Sequence, residues 1–565
     1  MFHNLFIFVF YYVLILLSII GYGYFFLRLC KLDTRLENFG YIGIFGIFFL
    51  IIYSYLSNFF IAHTEIHNVL IILLGTFLFI SSVRKFNFEY KNQFFFIFVV
   101  FFLLFCGLFQ FKNHDDFPYY HFPYTYYLTQ QSLHFGVGQF NHGFRTPSSI
   151  FYLNSLFYLP FAKFYLFNFS SIFILGFTNI ILLEKIHHFF SFNKIKKRQI
   201  SLINYLSLLS FIFINIFFYR LSEYGTDRAA MILIFLLIIE IFNLHEIKKF
   251  KSSDLLYIYV LGAIIISLKA VYLLYLIFFV PLFILTLKEK KNYFKTAHFL
   301  LYNKYFLLIL LSLFFVLVTT FINTGCVIYP ISLTCFDNLS WSIPSTEVQL
   351  MNAWYELWSK GGAAPNFRVE DPAEYIKGFK WFSNWINIYF FNKMSDFILG
   401  LFFLISIVLL LFKENFFNTR LNKINVGTYI IYLIIFILGL EWFYNRPSLR
   451  YGGYHILPLL LFIPISVKLV SSDISIKKYT KIILILICIT ISTFIGRNIN
   501  RIVKEVQVYD YKPFKKTFYF INEDHFRIQG YMDKIIKKHD DCAVIVNNCD
   551  SNMKVIMGKI IFTNK

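Results

Sequence analysis

Apolar residues run through this chain in long unbroken stretches separated by short polar connections. Stretches long enough to cross a bilayer as helices cover 4–27, 40–61, 68–83, 93–109, 166–186, 200–219, 229–246, 304–323, 393–412, 426–443, 455–470 and 480–497. The stretch 255–287 is too long for one span and is interrupted at Lys269, which predicts two short helices. A spanning helix needs roughly 20 residues and shorter ones occur, so the pattern predicts an all-α, polytopic membrane protein with about fourteen crossings. Composition agrees. With 58% hydrophobic and only 15% charged residues, a soluble domain has no interior large enough for the apolar surface. The N-terminus, Met1-Phe2-His3-Asn4, lacks the basic start and small-residue cleavage site of a signal peptide, so the first stretch reads as a retained span.

The net charge of +21 resembles that of a nucleic-acid binder, but its distribution excludes that class. The positive residues fall in clusters between apolar stretches: Arg28/Lys31/Arg35, Arg84/Lys85/Lys91, Lys194/Lys196/Lys197/Arg198, Lys248/Lys249/Lys251, Lys288/Lys290/Lys291, Lys413/Arg420/Lys423 and Lys477/Lys478/Lys481. These occupy alternate connections, provided 148–165 lies along the outer surface or re-enters rather than crossing. The positive-inside rule makes all of them cytoplasmic and both termini external. The outward segments are then 110–147, 220–228, the turn at Lys269, 324–392, 444–454 and the tail from about 499, and long loops are where chemistry is expected. The chain divides into N-terminal transmembrane helices (1–92), a transmembrane core with outward loops 110–147 and 324–392 (93–498), and an external tail or small domain (499–565).

The first large outward loop carries Asp115-Asp116-Phe117-Pro118-Tyr119-Tyr120-His121 and continues to His142 and Arg145. Adjacent carboxylates repel, which raises one pKa or calls in a cation, and either state suits a general base for a sugar hydroxyl. The rival reading makes Asp115 a helix cap and Asp116 a solvated side chain. Positive residues also stand on the outward side against the topological preference: Arg220, Arg228, Lys269, Arg446 and Arg450, with Tyr454 beside the last pair. Such charges suit a phosphate or pyrophosphate on a lipid headgroup, or pair with Glu223 and Asp227. Five of the 6 Trp, including Trp341, fall in 324–392, as membrane anchors or a sugar-stacking lid. Cys326 with Cys335, and Cys542 with Cys549, are candidate disulfides in an oxidising compartment. No Walker A loop, dinucleotide fingerprint or metal-spaced Cys/His set is evident, which argues against a primary pump.

Asp116-x-x-x-Tyr120-His121-Phe122-Pro123 is similar to the Asp-x-x-x-Tyr-His-Leu-Pro signature of GT-C membrane glycosyltransferases related to the protein mannosyltransferase and lipid A aminoarabinose transferase groups. Gly325–Pro344 and Arg446-Pro-Ser-Leu-Arg-Tyr451 resemble an uncharacterised bacterial family of GT-C-like membrane proteins. The resemblance implies a GT-C-like core in a bacterial inner membrane and a polyprenyl-phosphate-linked sugar donor bound at the outer leaflet. It further implies Asp116 as catalytic base, with Asp115 as its partner or as a contact for a divalent cation (Mg or Mn). Tyr120, His121, His142, Arg145, Arg220, Arg228, Lys269, Trp341, Arg446, Arg450 and Tyr454 are the candidate substrate-binding residues. The chain departs from the pattern in carrying about three extra spans before the acidic loop. The rival functions are a glycan ligase or polymerase without an Asp base, a flippase or transporter of a lipid-linked or anionic solute, and a non-catalytic envelope scaffold.

Overall fold

The computed structural model describes residues 3–32, 38–83, 91–186, 200–220, 225–247, 251–364, 367–413, 426–470 and 475–514, together with 534, 537, 553–556 and 559–563. Of the residues named above, Arg35, Arg84, Lys85, Lys194, Lys196, Lys197, Arg198, Glu223, Lys248, Lys249, Arg420, Lys423, Cys542 and Cys549 lie outside them. The apolar stretches are helices, and the chain is an all-α polytopic membrane protein. Among the described residues 11 helices are long and apolar enough to cross a bilayer, with three shorter apolar helices at Gln93–Leu108, Leu202–Phe217 and Ser252–Leu268. The interruption at Lys269 is real: its backbone is extended (φ −164°, ψ 142°) between helix Leu255–Leu268 and the 3-10 stretch Ala270–Phe278. The second piece is longer than predicted, because that stretch runs on through Phe279–Lys290.

The first three helices, His3–Leu29, Phe39–Phe60 and Glu65–Val83, pack through small residues. A Cβ on Gly21 would overlap the backbone carbonyl of Gly75, and one on Gly46 the carbonyl of Ile19. Close backbone approach of this kind is how helices associate where lipid removes any hydrophobic drive. These spans also support the acidic loop and the segment after it. Asn68 Nδ2 donates to the carbonyls of Ser155 (2.8 Å) and Tyr158 (3.0 Å), His63 Nδ1 bonds Ser155 Oγ (2.6 Å), and Asn58 Nδ2 donates to Leu128 O (3.0 Å). Residues 148–165 stay at this end of the bundle: Ser148 Oγ also donates to Leu268 O at the helix break (2.6 Å).

The two ends of the bundle are chemically distinct. At one end the basic connections meet, with Lys304 Nζ on Cys30 O (3.0 Å), Asn204 Nδ2 on Lys185 O (2.6 Å) and Asn303 Nδ2 on Ser252 O (3.3 Å). At the other, the loops 110–147, 324–392 and 444–454 contact one another. Helix Ile476–Tyr509 extends past its apolar part to reach the same end. There the buried pair Arg501–Glu505 grips the start of the acidic loop: Arg501 Nη2 donates to Phe109 O (2.6 Å) and Phe111 N–H to Glu505 Oε2 (2.9 Å). The tail returns as an antiparallel hairpin, Met553–Ile556 with Lys559–Phe562, whose second strand exchanges hydrogen bonds with Phe135. Lys559 Nζ, held by Phe59 O (2.6 Å), Ser132 Oγ (3.0 Å) and Leu133 O (3.1 Å), secures it.

Replacing Glu505 by Ala strands the buried Arg501 charge, a change that destabilises by about 3 kcal/mol. Thermal unfolding of the full chain in detergent should show that loss, and limited proteolysis should show faster cleavage within 110–147.

Candidate functional site

The acidic loop folds around Pro118. Residues Phe117–His121 form one wide π turn that runs directly into helix Phe122–Gln130. That turn separates the two neighbouring acids. Asp115 faces solvent, its side chain 88% exposed and only 3.9 Å from Lys112 Nζ, whereas Asp116 turns inward. The expected partnership of the two carboxylates is therefore replaced by separate environments. Asp116 does not cap the turn either.

Residues from three distant segments form a chain of charges that begins at Asp116. Arg450 Nη2 lies 2.6 Å from Asp116 Oδ2, and Arg450 Nε lies 2.7 Å from Asp227 Oδ2. Lys269 Nζ takes the other oxygen of Asp227 at 2.6 Å. Asp227 opens helix Asp227–Glu246, where the dipole favours an anion. Lys269 stands at the helix break with Nζ 5.0 Å from the centre of the Tyr451 ring. Arg450 lies in the 3-10 turn Leu449–Tyr451, which buried tryptophans hold. Trp385 Nε1 donates to Pro447 O (3.0 Å), Trp442 Nε1 to Ser448 O (2.8 Å), and Leu449 N–H to the Tyr389 hydroxyl (2.8 Å). Trp385 thus anchors a loop rather than offering a face to a sugar.

Phenols and imidazoles line this charge cluster. Arg450 Nη2 also donates to Tyr120 OH at 3.3 Å, and Tyr272 OH to the Asp227 carbonyl at 3.5 Å. The Tyr120 ring is covered by Gly143, where any Cβ would overlap it. His121 is buried against Tyr120 and Phe151, and His455 bonds Tyr275 close by. Burial acts to raise the Asp116 pKa, but its charged neighbours, Arg450 first and then His114, outweigh it and hold the carboxyl below its ordinary range. Burial pushes Tyr120 up, so its phenol stays protonated, and pushes the His121 imidazole down to about 3, so that it is neutral. Burial disfavours the Arg450 charge, yet Asp227, Tyr120 and Asp116 more than compensate.

Of the predicted residues, Asp116, Tyr120, His121, Lys269 and Arg450 come together. The others are spread around the same end. Arg145 donates to Gly138 O (2.9 Å) and pairs with Glu347 (2.7 Å), with exposed His142 nearby. Arg446 reaches Asn352 Oδ1 (2.6 Å) on helix Ser345–Ser359, Arg228 bonds the Arg220 carbonyl, and Tyr454 packs edge-on to Phe397. Trp341 packs on Phe135 and Phe321 and donates to Phe321 O (3.3 Å). Cys326 and Cys335 form a disulfide at the base of their loop. Sequence reasoning does not single out Asp227, Tyr272 or His455 as site residues. The available signal for Asp227 is an acid at the start of an apolar helix, between two outward arginines. A divalent cation does not fit these residues. Asp115 points away, Asp116 and Asp227 both hold cations, and no group of three metal-ligating side chains occurs among the described residues.

The neutral His121 gives a pH dependence with a definite sign. Unfolded histidine titrates near 6.5, so between about pH 3 and 6.5 the unfolded state binds the extra proton and stability falls as pH drops. The thermal midpoint in detergent should decrease from pH 7 to pH 5, and decrease less in His121→Gln.

Asp116, Asp227, Lys269 and Arg450 all lie within the segment that a family model recognises. Searches of curated proteins and of solved structures return no match. The model described as Domain of unknown function (DUF8201) matches residues 5–457, and the chain belongs to that family.

Proposed function

We propose that this protein is a GT-C-type membrane glycosyltransferase that moves a sugar from a polyprenyl-phosphate donor to an acceptor outside the cytoplasm. In this reading the three shorter apolar helices also cross, giving fourteen spans around a GT-C-like core. The basic end faces the cytoplasm of a bacterial inner membrane and the site faces the periplasm. The observation that carries the reading is the pairing of an inward carboxylate, Asp116, with Arg450, which Asp227 joins to Lys269, at the non-basic end of the bundle. Base and phosphate-binding groups are the two things a direct displacement at a sugar phosphate requires.

The chemistry is one displacement. Asp116 takes the proton from the acceptor hydroxyl as its oxygen attacks the anomeric carbon, and the bond from that carbon to the phosphate oxygen breaks. The electron pair leaves with the polyprenyl phosphate, whose added charge Arg450 and Lys269 stabilise. Burial keeps Tyr120 protonated and makes the enclosed His121 imidazole a weak proton acceptor, which supports Asp116 as the base.

The test is mass spectrometry of envelope glycans and lipid-linked sugars in cells carrying wild type, no copy, or Asp116→Asn. Loss of a general base lowers transfer roughly 100- to 10,000-fold. The variant should therefore match the deletion, with one sugar missing and its lipid-linked donor accumulating, while the protein remains folded and inserted. Full restoration of the glycan by Asp116→Asn would overturn the assignment. Movement of a lipid-linked substrate across liposomes with no new glycosidic bond would identify a transporter instead.

A further inference from the structure

We propose that Arg450 is an exchange point: Asp227 anchors its guanidinium permanently, while Asp116 holds it only until a phosphate ester arrives, so that docking of the phosphate frees Asp116. This rests on the glycosyl-transfer reading and adds a positioning role for Asp227 and a gate on the proposed base.

The two carboxylates hold the guanidinium in unequal ways. Asp227 is the more deeply buried, its side chain 10% exposed, and it grips Arg450 Nε with one oxygen and Lys269 with the other. Removing either cation would leave it buried and undercompensated, so this contact persists. Asp116 is 29% exposed and holds only Nη2. Nη2 lies against the Asp116 carboxylate at 2.6 Å and donates a hydrogen bond to Tyr120 OH at 3.3 Å. Nη1 makes no hydrogen bond among the described residues, and the Arg450 side chain is 33% exposed.

Arginine grips a phosphate best as a fork, with two parallel N–H groups on two oxygens. The accessible fork on Arg450 pairs the open Nη1 with Nη2. A phosphate on it stands beside the Asp116 carboxylate, and the two anions repel at a separation where screening is weak. The phosphate brings more charge and a second cation, Lys269, lies across Asp227 from it. Asp116 is therefore the anion that yields. Once it loses Arg450, the burial that already opposes its charge is no longer offset, and the carboxylate becomes a better proton acceptor. The base is thus held inactive by the group that binds the donor, and is released when the donor is in place.

The test measures phosphate binding rather than turnover, on the full chain in detergent, with farnesyl phosphate and inorganic phosphate as separate probes. Asp116→Asn and Asp116→Ser should bind farnesyl phosphate about tenfold more tightly than wild type, roughly 1.4 kcal/mol, because its competitor for Nη2 is gone. Asp227→Asn should bind about tenfold more weakly, and its thermal midpoint, lowered by the loss of two ion pairs, should still lie above the assay temperature. Opposite signs for the two acids are not expected from a purely structural role. Tightening for both probes points to free phosphate as a sufficient ligand, and tightening for farnesyl phosphate alone points to a lipid headgroup. On unmodified protein, infrared difference spectra on adding farnesyl phosphate should show a shifted carboxylate band that is absent in Asp116→Asn. Wild-type binding with equal or weaker affinity in both Asp116 variants, or no carboxylate band, overturns the exchange and leaves the transferase reading standing. No binding of either probe by wild type removes the phosphate site itself, and both proposals with it.

Discussion

One guanidinium shared between two carboxylates is the constraint on which the loop-rich end of the bundle depends. Arg450 cannot be left unpaired at the edge of a bilayer, and neither can Asp227, which is almost fully buried at a helix start. Satisfying both requires the acidic loop, the start of one helix, the break in another and the turn after a third to arrive at the same place. The interruption at Lys269 follows from this. A continuous helix would carry its side chain along the helix surface, whereas the extended residue delivers Nζ to Asp227 Oδ1. The surrounding structure keeps that meeting point fixed: indole donors hold the Arg450 turn, and Arg501–Glu505 with the C-terminal strand hold the acidic loop.

Much of this is legible in the sequence because it depends on local rules. Apolar stretches predict spanning helices from length alone, and the lone Lys269 marks the break. Charges on alternate connections correctly group the loops 110–147, 324–392 and 444–454, which do contact one another. The placement of 148–165 along one end also follows from charge, and its hydrogen bonds to the turn at 63–68 explain it. The features that escape sequence reasoning depend on tertiary geometry. Composition and charge leave Asp115 and Asp116 equivalent, only the motif resemblance favours Asp116, and the π turn at Phe117–His121 is what exposes one and turns the other inward. Asp227 looks like a local partner for Arg220 or Arg228, whereas its partners lie 42 and 223 residues away. Trp385 carries a composition signal shared by membrane anchors and sugar platforms, whereas the buried indole holds the Arg450 turn through Pro447 O.

The three spans before the acidic loop also acquire a physical role. Asn58, His63 and Asn68 present polar groups from the turn between the second and third helices to the backbone at Leu128, Ser155 and Tyr158. They brace the segments on both sides of the site, and the family match, which begins at residue 5, includes them. The match ends at residue 457, just past Arg450, while the helix bearing Arg501 and Glu505 lies beyond it. The charge cluster therefore lies within the family segment, and the C-terminal clamp is built around it.

The shared guanidinium is tested most directly by a double-mutant cycle between Arg450 and Asp227, using Arg450→Gln, Asp227→Asn and the double variant, with unfolding free energies determined in mixed micelles. A desolvated charge pair at this distance predicts a coupling on the order of 2 kcal/mol, and a smaller one when the cycle is repeated with Asp116. Additive effects of Arg450→Gln and Asp227→Asn would show that the two side chains do not share the contact on which the site is built.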